Sequence, residues 1–187
     1  ARHGSLKTRE FTPTIEAPIA IFLNLRAADF ADRHMMLAVE RCVETAASLV
    51  MAAARARRSF RLLAWANLGE PDYEEVRGTG EVTALAALEL LARAEPRYEY
   101  TGTGGSPPTG ERLAAAATWS RSERLFYVGP VLAEDDIDGL IASGVSPARI
   151  ELYYVEELTR RHHPGAGHGL SVHVVRLYGE DDGDPEA

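Results

Sequence analysis

Cysteine is nearly absent from this chain: Cys42 is the only one among 187 residues. No internal disulfide and no cysteine-rich zinc site can form. Lysine is equally scarce. Lys7 is the only one and every other basic residue is arginine, so any lysine chemistry falls on Lys7. Positive charge is short overall, since 20 basic against 28 acidic residues leave a net charge of −8. A protein that grips nucleic acid by neutralising phosphates normally carries the opposite sign, so no nucleic-acid partner is expected. No apolar run reaches the roughly 18 residues of a spanning helix, so no membrane-spanning segment is expected within these residues. Two motifs are missing as well. The chain has neither a Gly-x-Ser-x-Gly elbow for a nucleophilic serine nor a Gly-x-x-x-x-Gly-Lys-Ser/Thr phosphate loop.

What is present is a globular balance of 45% apolar and 26% charged residues. The length fits one domain, read here as residues 1–179, followed by an acidic tail over 180–187 that is expected to be disordered. The chain opens on Ala1 with no signal-peptide shape, and we read it as a piece of a longer protein.

Ser5 to Phe11 alternates in the manner of an edge strand. Ile19 to Leu23 is a continuous apolar run ending at Asn24, the pattern of a strand buried on both faces. Met35, Met36, Val39, Cys42, Val43, Ala46, Val50 and Ala53 recur at helical spacing. Phe60 to Ala66 reads as a second buried strand and Asp72 to Gly80 as a polar loop. Glu81 to Ala94 reads as a helix, Thr101 to Gly110 as a flexible loop and Glu111 to Trp119 as a short helix. Arg124 to Val128 is a strand, Ala133 to Ser143 a helix and Arg149 to Val155 a strand. Leu170 to Tyr178 is a last, alternating strand. Such alternation predicts an α/β fold: a doubly wound, mostly parallel sheet with helices on both faces and an antiparallel edge strand. Ligands on such sheets sit beyond the carboxyl ends of the strands.

The opening Ala1-Arg2-His3-Gly4-Ser5-Leu6-Lys7-Thr8-Arg9-Glu10-Phe11 resembles the Ala-Arg-x-Gly-x-Leu-x-x-Lys/Arg-Glu-Phe stretch of domain-of-unknown-function family 58. The apolar strand about ten residues later sits where that family places its first core strand. The resemblance implies a von Willebrand factor A-like fold and a MoxR-type AAA ATPase as partner. It also implies a cytoplasmic domain whose parent is anchored in a membrane by segments outside this chain.

That fold often holds a divalent cation through an Asp-x-Ser-x-Ser sequence after the first strand, with a Thr and an Asp from later loops. Here the corresponding residues are Asn24, Arg26 and Ala28, with Thr79 or Thr83 as the only candidate threonine. A hard cation needs several oxygen ligands, and Arg26 would repel it. The site therefore reads as degenerate, with no metal and no cofactor. The expectation is a non-enzymatic interaction domain, a scaffold or adaptor. The contact residues would be Asn24, Arg26 and Asp29 after the first strand, Asn67 and Leu68 after the second, and Gly129 and Val131 after the strand at 124–128. The alternative is a hydrolase or small-ligand-binding domain using the same edge, for which no convergent set of catalytic residues is visible.

Other features read as structure. His162, His163 and His168 lie in a Gly-rich loop with His173 beyond it, and they are expected to be solvated and not ligands. Cys42 and Trp65 are expected in the core. Arg55, Arg57, Arg58 and Arg61 form a basic cluster, read as a solvated turn, or as a contact for an acidic partner.

Overall fold

A computed structural model describes residues 17–30, 34–68, 74–98, 123–142, 144, 146–155 and 165–177. The stretches Ser5–Phe11, Thr101–Gly110 and Glu111–Trp119, the residues His162 and His163, and the tail over 180–187 lie outside them.

Six strands form one sheet. They are β1 (Ile19–Asn24), β2 (Phe60–Trp65), β3 (Glu74–Gly78), β4 (Arg124–Gly129), β5 (Ile150–Val155) and β6 (Ser171–Val175). Their order is β3-β2-β1-β4-β5-β6, and every pairing is parallel except that of β2 with β3. The expected α/β architecture, with one antiparallel edge, is what the chain adopts.

The central strands explain themselves. All six residues of β1 and of β2 are buried, because helices cover both faces. Helix α1 (Met35–Arg55) and helix α2 (Gly80–Arg93) pack on one face, over Ile21, Leu23, Leu62 and Val128. Helix α3 (Glu134–Ala142) packs on the other, with Ile137 and Leu140 among Phe22, Tyr127, Leu152 and Tyr154. The chain winds outward from β1 to β2, then resumes at β4 and winds the other way. Right-handed crossovers therefore put α1 and α3 on opposite faces. The winding reverses between β1 and β4, which opens a crevice at their carboxyl ends.

Two sequence expectations need correction. The stretch Asp72–Gly80 is not a plain loop: Glu74 to Gly78 pairs along β2 as β3. An edge strand needs only half of a ladder and tolerates charge, so its single apolar residue, Val76, gave no alternation to read. The basic cluster also comes apart. Arg61 is buried in β2 and its Nε lies 2.7 Å from Glu123, across the small residue Ala20. Arg58 donates to the carbonyl of Ala17 at 2.7 Å, and Arg55 and Arg57 are exposed. A solvated turn is thus half right, because two of the four arginines are fastened inward. Trp65 and Cys42 are core residues as expected.

Candidate functional site

The crevice between β1 and β4 is built from the backbone out. β1 ends at Asn24, which is fully buried. Its side-chain oxygen accepts the N–H of Arg26 at 3.0 Å and so turns the chain out of the sheet. Its amide nitrogen donates to Asp29 Oδ2 at 2.9 Å and to the Tyr127 hydroxyl at 3.2 Å. Tyr127 donates its own proton to the carbonyl of Pro130 at 2.8 Å, tying the end of β4 to the end of β1.

Arg26 closes the arrangement. Its guanidinium meets Asp29 Oδ1 at 3.1 Å and lies 5.7 Å from the centre of the Trp65 ring. The flanking backbone is held by two hydrogen bonds to Arg97, Ala27 N–H to its carbonyl at 2.9 Å and Arg97 N–H to Leu25 O at 2.8 Å. Both Asp29 oxygens are thereby engaged, one by a neutral amide and one by a cation. Arg26 accordingly finds its carboxylate within its own chain.

Beside this network lies a cleft of about 200 Å³. Asp29, Tyr127, Val131, Leu132 and Ala133 line it, together with Asp136 from the first turn of α3. Ala28 also lines it and is exposed. Burial pushes the Tyr127 hydroxyl well above its usual value of 10, while the hydrogen bond from Asn24 acts the other way. Tyr127 therefore stays a neutral donor on the cleft floor.

Of the residues named from sequence, Asn24, Arg26, Ala28, Asp29, Gly129 and Val131 come together here. Gly129 lies inside, closing β4, where a Cβ would come within 2.8 Å of the Tyr127 hydroxyl and 3.0 Å of Asn24 Cβ. Asn67 and Leu68 share the edge but sit one strand over, with Asn67 bridged to Glu95 and Leu68 packed on the core. Thr79 must be removed from the set, and Thr83 with it. Because β3 runs antiparallel, Gly78 pairs with Phe60 at the start of β2, so both threonines lie at the opposite end of the sheet. Tyr127 and Asp136 were missed. Tyr127 is a mid-strand residue whose side chain reaches the crevice, and Asp136 reads as one more carboxylate in a helix's first turn.

The donor set does not fit a divalent cation. The Asn24 oxygen is used by the backbone, both Asp29 oxygens are taken, and a guanidinium stands 3.1 Å from one of them. Among the described residues no three or more His, Cys, Asp or Glu side chains are placed to share a metal ion. His168 reaches Glu134 at 3.1 Å, whereas His173 stacks on Tyr153 with ring centres 4.5 Å apart. The two imidazoles thus serve different parts of the molecule.

No family model matches the chain, so the resemblance to family 58 rests on its own residues. No curated protein matches it either. Among solved structures it is similar to a von Willebrand factor type A protein from Catenulispora acidiphila, at 14% identity and a TM-score of 0.47. That likeness covers 76% of this chain and 34% of the other.

Proposed function

We propose that this chain is a non-catalytic protein-recognition domain, a scaffold or adaptor that engages its partner at the carboxyl edge of the sheet. The supporting observation is the closed Asn24–Asp29–Arg26–Tyr127 network. On this reading it takes the place of a cation and leaves a small cleft with a neutral floor beside an exposed rim. Such a cleft suits a single inserted side chain, and interfaces draw most of their energy from a few such anchors. Asp136, which lines the cleft, stands in the acidic first turn of α3 with Glu134 and Asp135, and this negative charge favours a basic anchor. Arg26 then acts by fixing Asp29. The resemblance of Ala1–Phe11 to family 58 supports a MoxR-type AAA ATPase as the partner and a cytoplasmic setting.

The test is surface plasmon resonance against the MoxR-type ATPase of the same organism. Ala28→Arg crowds the cleft without touching the core. It should weaken binding at least tenfold, about 1.4 kcal/mol, and chelator should change nothing. Binding that equals the parent's in Ala28→Arg, or that vanishes with chelator, would overturn the proposal.

A further inference from the structure

The cleft beside Tyr127 has a one-sided chemistry. Three of its seven lining residues are polar, Asp29, Tyr127 and Asp136. Carboxylates accept hydrogen bonds and do not donate them. Tyr127 has one proton to give, and the carbonyl of Pro130 already takes it at 2.8 Å. No side chain that lines the cleft is therefore left to donate to a ligand. At the start of α3 the N–H groups of Asp136 and Ile137 are spent as well, both on Ala133 O at 3.1 and 3.2 Å. Arg26 is not among the lining residues, and its guanidinium is drawn onto Asp29 and over the Trp65 ring. An anion entering here meets two carboxylates and no side-chain donor. A cation that brings its own N–H groups meets acceptors.

On the reading of this edge as a recognition surface, we infer that the anchor the cleft takes is an arginine of the partner, its guanidinium set against Asp136. Asp29 is matched by Arg26 within the chain, at 3.1 Å, so the entering charge is directed to the other carboxylate. Val131, Leu132 and Ala133 make up much of the apolar lining, and a side chain that passes them sheds water. A guanidinium is more weakly hydrated than an ammonium and loses less in doing so. Its planar fork also holds both oxygens of one carboxylate in two parallel bonds, which a lysine cannot do. The cleft of about 200 Å³ has room for one such group and not for a folded segment. Specificity for arginine over lysine and over a neutral side chain of the same shape is the consequence.

The probe is N-acetyl-argininamide, titrated into the full chain and followed by the backbone amide resonances of Ala28, Asp29 and Asp136. Saturable shifts are expected there, with a dissociation constant on the order of 1 mM for so small a ligand. The lysine counterpart should bind at least threefold more weakly. The citrulline counterpart, which keeps the shape and loses the charge, should bind at least tenfold more weakly. Asp136→Asn should weaken the arginine probe at least fivefold. Asp138→Asn removes the same charge from the same helix outside the cleft lining, and should leave the probe's affinity unchanged. The proposal is overturned if the arginine probe gives no saturable shift at these residues, or if the lysine or citrulline probe binds as well. It is also overturned if a folded Asp136→Asn chain binds like the parent, or if Asp138→Asn weakens the probe as much as Asp136→Asn does. Recognition of the ATPase at this edge stands or falls separately, on the Ala28→Arg measurement.

Discussion

At the residue scale, Asn24 shows how one side chain turns a strand end into a closed network. Its carbonyl and its amide each have a partner, and the amide is the donor that lets Asp29 lie in a half-buried site. Asn24→Asp removes that donor and faces one carboxylate with another. Like charges and burial both raise a carboxyl pKa. The sign then follows. A carboxyl whose folded pKa lies above its unfolded value favours folding below the unfolded pKa, near 3.9 for Asp, and loses that contribution as pH rises through the folded pKa. Asn24→Asp should thus cost about 2–4 kcal/mol at pH 7 and clearly less at pH 4. Urea unfolding of parent and variant at both values checks this, and an equal deficit at the two would defeat it. The sequence made Asn24 and Arg26 visible because they stand directly after an apolar run. It left Tyr127 hidden, because its role depends on β4 lying beside β1, a pairing of residues 103 apart in the chain.

Among the elements, α1 was legible because its apolar residues recur every three or four positions, and Val39, Cys42, Ala46, Val50 and Ala53 are indeed buried. Met36 fits the same spacing yet is exposed, in the first turn of the helix. The C-terminus of α1 holds a feature that no periodicity signals. The N–H of Arg58 bonds to Ala53 O and that of Arg57 to Ala54 O, both at 3.0 Å. This is the paired closure that ends many helices, and it needs a left-handed residue at the position of Arg57, whose φ is 53°. Glycine is the usual occupant, and a side chain there is strained by about 1 kcal/mol or more. Arg57 is exposed. Arg57→Gly should therefore stabilise the fold by about 0.5–1 kcal/mol, the relief being partly offset by the greater freedom of glycine in the unfolded chain. A shift of the thermal midpoint downward would contradict this account. At β3 the sequence signal failed for the opposite reason, since an edge strand with one apolar residue resembles a loop until β2 offers it a ladder.

For the whole molecule, the layered α/β architecture was accessible because two continuous apolar runs require cover on both faces, and the helices between the strands supply it. Which face each helix takes, and so where the crevice opens, depends on the reversal of winding at β1 and β4, and no local pattern encodes that. The same two-faced burial fixes how the protein should respond to alkali. Tyr127 and Tyr154 are both fully buried beneath α3, edge to face at 6.1 Å. Burial is the main cause that pushes their hydroxyls above 10, and it raises Tyr153 to about 12. Each of these groups keeps its proton in the folded chain at a pH where the unfolded chain has begun to lose it. Their contribution to stability is complete below about pH 10 and is lost as pH rises from there through the folded values. Tyr127 and Tyr154 cannot ionise in place without leaving a tyrosinate among Phe22, Leu152 and Ile137, so ionisation and unfolding are coupled. In a titration from pH 9 to 13, tyrosinate absorbance should rise in two stages. The later stage should coincide with loss of far-ultraviolet circular dichroism. A single smooth rise centred near pH 10, with the dichroism of the folded chain intact, would show that these rings are reached by solvent and that the α3 face of the sheet is not closed.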